Sequence, residues 1–370
     1  MVNPNPNPNP DLSTPNLETN SELGTRNSKR DFDALLVVSF GGPEGNSDVL
    51  PFLENVLRGR NVPRERMLAV AEHYKMFGGV SPINEQNRKL IAALEKELTA
   101  KGPILPIYFG NRNWHPLLAD TVARMKADGI DRALAFVTSA YSSYSSCRQY
   151  LENIAGAQGT VGAGAPQIEK LRVFYNHPLF IEANVENVRA GLSQIPESQL
   201  PTTQLVFTAH SIPMAMAANC AYQAQLEETA RIIASHIAIE QRRFPHKLVY
   251  QSRSGPPMQP WLGPDVLDYL RDAREAGTTD VLLAPIGFIS DHMEVIYDLD
   301  TEARQLCESI GLNLVRANTV GTHPQFVQMI RELILERMDP KSERTFLGER
   351  GASADICPSG CCEQTAILQS

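Results

Sequence analysis

Three hundred and seventy residues, 42% of them hydrophobic, can bury a large core and fill two domains of ordinary size. A formal net charge of −8 argues against nucleic acid as the main partner, and no apolar run reaches the roughly 18–20 residues of a membrane span. The N-terminus has neither the basic nor the apolar region of a signal peptide, so a soluble, cytoplasmic chain is expected, whose six cysteines are thiols or metal ligands rather than disulfides.

Residues 1–30 open with Asn-Pro repeats from Asn3 to Pro10 and continue with Ser, Thr, Asn and Glu. So little apolar surface cannot offset the entropy of ordering, and a disordered tail is expected. Ala34–Phe40 is a continuous apolar run, the pattern of a strand buried on both faces in a parallel sheet. It stops at Gly41-Gly42-Pro43, which allows close backbone approach to a ligand but is not G-x-G-x-x-G. Helices are predicted from Ser47 or Asp48 to Leu57, from Glu65 to Phe77 and from Asn84 to Ala100, where Leu90, Ile91, Leu94 and Leu98 make one apolar stripe. A strand over Ile104–Phe109, a polar-aromatic loop to Pro116, a helix over Leu117–Ala127 and a strand over Arg132–Thr138 follow. This alternation requires right-handed crossovers and a parallel sheet. The Gly- and Ala-rich stretch Ala155–Ala165 reads as a surface loop.

After that loop the pattern restarts. Strands are predicted over Leu171–Tyr175, Gln204–Ala209, Lys247–Gln251, Asp280–Gly287 and Leu314–Ala317, with helices over Leu179–Ile195, Ala221–Ile239, Gly263–Ala276 and Pro324–Met338. The expected class is α/β: two parallel-sheet units, 31–170 and 171–340, then a polar tail over 341–370.

Phe288–Glu302 is the most informative stretch, because it begins a helix directly after a strand, a Pro and a Gly. Glu294, Asp298 and Glu302 recur at i, i+4 and i+8, which puts three carboxylates on one helix face about 6 Å apart. A solvated acidic face near a helix start is the plain alternative. Against it stand His292, two residues before Glu294, and the apolar neighbours Met293, Val295 and Ile296. His210 follows the strand Gln204–Ala209, on the edge where open parallel sheets form ligand crevices. If both strands share a sheet, His210 and Glu294 face each other and can take protons from, or hold a metal over, whatever lies between them.

Cys220, in an Ala-rich helical segment, and Cys307, within Leu306–Leu312, read as buried small hydrophobes. Cys357, Cys361 and Cys362 share a loop with Pro358 and Gly360, which packing does not explain. A closed thiolate site needs a fourth ligand, and Cys147 in its Ser-rich loop is the natural donor; a [2Fe–2S] cluster and a zinc site both fit. The loop residues Arg58, Arg60, Arg112, Arg148 and Arg253 are either solvated or recruited by ligand carboxylates.

Taken together, Ser39-Phe40-Gly41-Gly42-Pro43, Arg58-Gly59-Arg60, Gly78-Gly79-Val80-Ser81-Pro82, His210-Ser211-Ile212-Pro213, Trp261-Leu262-Gly263-Pro264-Asp265 and Gly287-Phe288 through Asp298 resemble the ferrochelatase family over about residues 33–340. The resemblance implies a chelatase-like fold of two Rossmann-like domains around a porphyrin cleft, with insertion of ferrous iron into the macrocycle. It implies His210 as base and metal contact, Glu294 opposite it, and Asp298 and Glu302 as a proton or metal relay. A porphyrin loses its pyrrole protons as iron enters, so a neutral His210 is expected as acceptor. Phe40, Ser81, Tyr150 and Arg58 are the implied porphyrin contacts. Phe40 stands where cluster-free bacterial members acting on coproporphyrin III carry an iron-binding Tyr, so no axial tyrosinate is available.

The cysteine pattern is similar to that of the actinobacterial members carrying a [2Fe–2S] cluster, which implies Cys147, Cys357, Cys361 and Cys362 as ligands tying the tail to the first domain. Met76–Gln86 is short of hydrophobes for a membrane-facing lip, which favours coproporphyrin III over protoporphyrin IX. Porphyrin and ferrous iron are the expected partners, with transient contact to neighbouring heme-pathway enzymes. Competing readings are a tetrapyrrole- or iron-binding protein without turnover, a structural iron–sulfur protein in which His210 and Glu294 are idle, and a cobalt or nickel chelatase.

Overall fold

The computed structural model describes residues 32–59, 62–237, 243–255, 258–339, 341–358 and 360–363. The expected disordered tail, Arg60 and the last residues of the C-terminal tail lie outside them.

Two four-stranded sheets repeat one plan. In the first, β1 (Ala34–Ser39) lies between β2 (Ile107–Asn111) and β3 (Arg132–Val137), with β4 (Gln167–Lys170) outside β3. In the second, β5 (Thr203–His210) lies between β6 (His246–Gln251) and β7 (Asp280–Ala284), with β8 (Asn313–Arg316) outside β7. Every pair is parallel. All residues of β1 and β7 are buried, as strands covered by crossover helices on both faces must be.

The crossovers are helical. Helices α1 (Asn46–Val56), α2 (Arg64–Met76) and α3 (Ile83–Lys101) join β1 to β2, and α4 (Leu118–Ala127) and α5 (Gln149–Val161) follow β2 and β3. The long α6 (Pro178–Leu192) leads into the second sheet. There α7 (Met214–Ala217) and α8 (Tyr222–His236) follow β5, α9 (Val266–Glu275) follows β6, and α10 (Met293–Ile296) and α11 (Arg304–Ile310) follow β7. Helix α12 (Pro324–Met338) closes the globular part. None of the described helices is long and apolar enough to cross a membrane.

One hydrophobic core runs through both halves. Phe136 of β3 stacks on Phe174 at 5.5 Å, and Phe174 meets Phe180 of α6 and Phe326 of α12 at 5.4 and 5.8 Å. Aromatic pairs in this range add about 0.5–1.5 kcal/mol each beyond their buried area. Across the same seam the Tyr141 hydroxyl donates to the Ile286 carbonyl at 2.9 Å.

Two expectations are corrected. Leu171–Tyr175 is not a strand; the strand is Gln167–Lys170, which pairs with β3 and so belongs to the first sheet. Its polar alternation suits a sheet edge, where Glu169 pairs across to Arg132 at 2.7 Å. Val173, Phe174 and Tyr175 are instead consumed as core where the two halves meet. Ala155–Val161 is helix rather than loop: Ile154 and Ala157 are buried, while Gly156 and Gly159 face open space, so the glycines cost only propensity. The helix stops at Gly162, whose φ is +71°.

Candidate active site

His210 is the last residue of β5, and its backbone is fixed on both sides. The Tyr222 hydroxyl donates to its carbonyl at 3.0 Å, Ser211 N–H donates to the Gln251 carbonyl at 2.8 Å, and the Ser211 hydroxyl donates to the Leu262 carbonyl at 2.7 Å. The ring nitrogen Nδ1 contacts the Ser211 carbonyl, which can only accept, so Nδ1 carries a proton. Nε2 is thereby turned to Glu294 Oε1, 3.3 Å away. Glu294 sits in the first turn of α10, where His292 caps the helix by accepting the Glu294 N–H at 3.2 Å. Gln251 of β6 donates to the Glu294 carbonyl at 2.6 Å, so three strand ends converge on this pair.

Their approach requires Gly287. Its N–H donates to the Thr208 carbonyl at 3.0 Å, and a Cβ there would lie 2.5 Å from Ala209 Cβ and 2.6 Å from Ala209 Cα. Gly287→Ala is expected to lower unfolding free energy by about 1–3 kcal/mol, read from urea unfolding. A variant as stable as the parent would show that the loop can move off β5 freely.

The electrostatics set the resting charge. Burial pushes His210 down, but Glu294, its hydrogen bond, the Ser211 carbonyl and Asp298 overcome that and raise it to about 9. Burial likewise pushes Glu294 up, and His210 and His292 outweigh it, holding the carboxyl at about 2. Both shifts favour the charged forms, an imidazolium–carboxylate pair at neutral pH, so the neutral His210 expected as proton acceptor is available only once that proton has left. The neutral imidazole is His292, which burial holds below the usual histidine range and which must stay unprotonated at Nδ1 to cap α10.

Beyond Glu294 the acidic row continues as expected, but not on an α-helix. Asp298–Ala303 is a π-helical turn, in which Glu302 N–H reaches the Tyr297 carbonyl five residues back at 2.9 Å. The wider turn keeps residues four apart closer to one line than an α-helix would. Asp298 is raised to about 7, chiefly by desolvation, with Glu294 and Glu302 adding repulsion against its hydrogen bond from Ser252. Glu302 is also raised, first by burial. At the outer end His73 of α2 stacks on Tyr297 with ring centroids 3.8 Å apart and lies within electrostatic reach of Glu302. Nothing in the α2 pattern marked His73, because its partner lies in the other half of the chain.

The other candidates spread around the crevice. Phe40, at the end of β1, packs edge-on against Phe52 at 6.3 Å, with the Arg112 guanidinium 5.6 Å from its ring. The same guanidinium covers Tyr150 at 4.6 Å, and Tyr150 is only 5% exposed. Ser81 is buried and donates its N–H to the Pro43 carbonyl at 2.9 Å. Arg58 is exposed and bonded to Asn55. Arg112 is held by Asn153 at 2.6 Å, Arg148 by Glu152 at 3.2 Å, and Arg253 donates to the Gln259 carbonyl at 3.0 Å.

The expected polar lip is corrected as well. Met76 and Val80 are 63% and 42% exposed, joined by Leu68 on α2. Of the polar residues in the stretch and just beyond it, Glu85 stays exposed while others are turned inward or paired away. Asn84 donates to the Gly42 carbonyl at 3.1 Å and the His115 carbonyl at 3.2 Å, Asn87 donates to Ser39 at 2.8 Å, and Arg88 pairs with Glu44. Asn111 completes this buried network by donating to Asn84 at 3.1 Å, which locks the Gly41-Gly42 loop under the crevice. A surface groove of about 640 Å³ between α3 and α12 contains none of these residues.

The cysteines gather as two pairs. Cys147, 3% exposed in the π-helical turn Tyr144–Arg148, is within electrostatic reach of Cys357, and Cys361 Sγ lies 3.7 Å from Cys362 Sγ. Cys362 and Cys147 are within electrostatic reach of each other. Cys307 is buried as expected, but Cys220 is half-buried and within electrostatic reach of Cys361 and Cys362. The tail is anchored by side chains of the second unit. Arg172 pairs with Glu336 at 2.7 Å and donates to the Thr345 carbonyl at 3.0 Å, Asn176 donates to the Leu347 and Gly351 carbonyls at 3.2 and 2.8 Å, and Glu228 accepts the Glu349 N–H at 2.8 Å. Among the described residues, no three His, Cys, Asp or Glu side chains are grouped around a point for one metal ion.

A family model described as Ferrochelatase matches residues 32–338. The chain is 57% identical over 335 residues to a protein of Rhodopirellula baltica named ferrochelatase, covering 90% of this chain and 94% of the relative. It is 48% identical to proteins of Nocardia farcinica and Streptomyces coelicolor named coproporphyrin III ferrochelatase, covering 89% and 90% of this chain and 96% and 94% of theirs. Among solved structures, SirB from Bacillus subtilis with Fe3+ aligns with a TM-score of 0.48 at 11% identity, over 83% of this chain and 96% of that one.

Proposed function

Since the chain belongs to the ferrochelatase family, enzymes that insert iron into a porphyrin, we propose that it metallates coproporphyrin III with ferrous iron between His210 and Glu294, yielding coproheme. The observation that carries the site is the 3.3 Å contact of His210 Nε2 with Glu294 Oε1 where the ends of β5, β6 and β7 converge. The substrate reading is supported by the names of the Nocardia and Streptomyces relatives. The exposed arginine Arg58 suits propionates, whereas the lip gives it no support, since Met76 and Val80 are exposed.

The chemistry follows from the resting charges. His210 must release its imidazolium proton before Nε2 can meet a metal ion or take a pyrrole proton. Glu294, ionised at neutral pH, is the adjacent acceptor. Asp298, balanced near pH 7, can take a proton and pass it on toward Glu302 and the His73 end of the row. Each turnover releases two protons from the macrocycle as one ferrous ion enters, in addition to the imidazolium proton of His210, so the row has to pass protons outward rather than store them. Phe40, Ser81 and Tyr150 would form the wall on the first-sheet side, with Tyr150 acting through Arg112 because it is buried. The division into units at 31–170 and 171–340 is supported by the two sheets, β4 ending the first at Lys170.

The spacing of Cys147, Cys357, Cys361 and Cys362 supports the reading that these four would hold a [2Fe–2S] cluster, although among the described residues no three of them are grouped to hold a metal ion. When bound, such a cluster supplies a one-electron centre and a cross-link between the tail and the first sheet.

An anaerobic assay of the purified chain, following porphyrin absorption with ferrous iron, tests the substrate. A higher kcat/KM for coproporphyrin III than for protoporphyrin IX is expected. The reverse order would make protoporphyrin IX the substrate, and turnover of neither would overturn the site.

A further inference from the structure

We infer that Gln251 and Ser252, at the end of β6, are the positioning residues of the site: their side chains set where the carboxylates of Glu294 and Asp298 stand relative to His210. This rests on the assignment of His210 and Glu294 above. His210 and Gln251 are the last residues of β5 and β6 and lie opposite each other in the ladder. The Gln251 carbonyl accepts the Ser211 N–H at 2.8 Å, and the side-chain amide of the same residue donates to the Glu294 carbonyl at 2.6 Å. One residue therefore touches the flanks of both members of the pair. Gln251 is 1% exposed, so water does not compete for its bonds. The next residue repeats the contact one turn along, where the Ser252 hydroxyl donates to Asp298 Oδ2.

The carboxylate row needs such a grip. Met293–Ile296 is a four-residue helix, too short to hold itself. Burial of Met293 and Val295 presses it onto the sheet, but apolar contact has no direction and does not fix its rotation. Hydrogen bonds from the strand end supply that direction. The backbone of Ser252 is an independent sign. Its φ is +62°, the left-handed region that a residue with a Cβ adopts at a cost. Glycine would take this turn without strain but would bring no hydroxyl to Asp298. Neither side chain exchanges a proton at neutral pH, so each acts through the carboxylate it holds. Displacing a reacting group by about 1 Å can cost about 10²-fold in rate.

The test uses the full-length protein as parent, Gln251→Met, Ser252→Gly, Glu294→Gln and the double variant Gln251→Met/Glu294→Gln. Single-turnover metallation with ferrous iron is followed anaerobically with the porphyrin that the parent turns over faster. Fluorescence quenching gives porphyrin affinity and urea unfolding gives stability. Gln251→Met, which keeps the side-chain length, is expected to slow insertion about tenfold at unchanged porphyrin affinity. Added to Glu294→Gln, where no carboxylate is left to place, it is expected to cost less than about twofold more. Ser252→Gly is expected to slow insertion about threefold at unchanged affinity, with an unfolding midpoint no lower than the parent's. Equal slowing by Gln251→Met in both backgrounds overturns the inference, as does slowing only in step with lost porphyrin affinity, or a parent rate in Gln251→Met. If Gln251→Met does not fold, Ser252→Gly decides, and a parent rate there overturns it. A parent that metallates neither porphyrin, or Glu294→Gln at the parent's rate, would instead remove the site assignment, and this inference with it.

Discussion

His210→Ala is expected to slow metal insertion by about 10²–10⁴-fold while porphyrin binding is kept. The imidazole is the group opposite Glu294, and none of its described neighbours can replace it. His292 is committed as the cap of α10, its Nδ1 occupied by the Glu294 N–H. Tyr222 is tied to the His210 carbonyl. Removing the ring also strands Glu294, whose ionisation His210 stabilises, so the variant loses proton acceptor, metal contact and charge balance together. The crevice wall, built from β1, α2 and the Asn84–Asn87–Asn111 network, is untouched. The measurement is single-turnover metallation alongside fluorescence quenching for porphyrin affinity: a large loss of rate with unchanged affinity is expected, and a wild-type rate would overturn the assignment.

Glu294→Gln is expected to lower the rate about 10²-fold and to move its pH dependence. In the parent, His210 is raised to about 9 chiefly because Glu294 opposes its burial. A metal ion or pyrrole proton must compete with the proton on Nε2, so insertion should speed up as pH rises toward about 9. Without the carboxylate, burial dominates and the limb should fall to or below the ordinary imidazole value of about 6.5. Zinc ion, which is redox-inert, allows the profile to be measured across this range. Superimposable profiles for parent and variant would sink the coupling.

The same shifts predict little for stability. His210 is raised, so its contribution is complete below about 6.5 and is lost as pH climbs through about 9; Glu294 is lowered, so its contribution is complete above about 4.5 and is lost as pH falls toward 2. With side chains 32% and 43% exposed, solvent screens the pair, and its worth stays within about 0–1 kcal/mol. The pair is therefore a kinetic device more than a structural one.

How much of this was legible in the chain depends on the range of the interaction. The apolar runs of β1 and β5 and the stripe of α3 reported themselves, because burial of a strand or helix face is written into a handful of consecutive residues. The carboxylate row and the cysteine spacing were equally readable, being local periodicities that survive even the change from α- to π-helical winding. The motifs around them sufficed for the family.

What depended on partners far along the chain was not readable. Ala155–Val161 looked like loop because its glycines are visible in sequence and the sheet that buries Ile154 and Ala157 is not. Asn84 looked like part of a polar lip until the Gly41-Gly42 loop and Asn111 arrived to turn it inward. His73 and Cys220 acquire meaning only from Tyr297 and Cys361, each from another element. The sequence alone determined which residues can carry charge and where most helices and strands run. Only the tertiary structure decided which charges they carry, because the proton on His210 is held by a carboxylate that folding brings to 3.3 Å and partly shields from water.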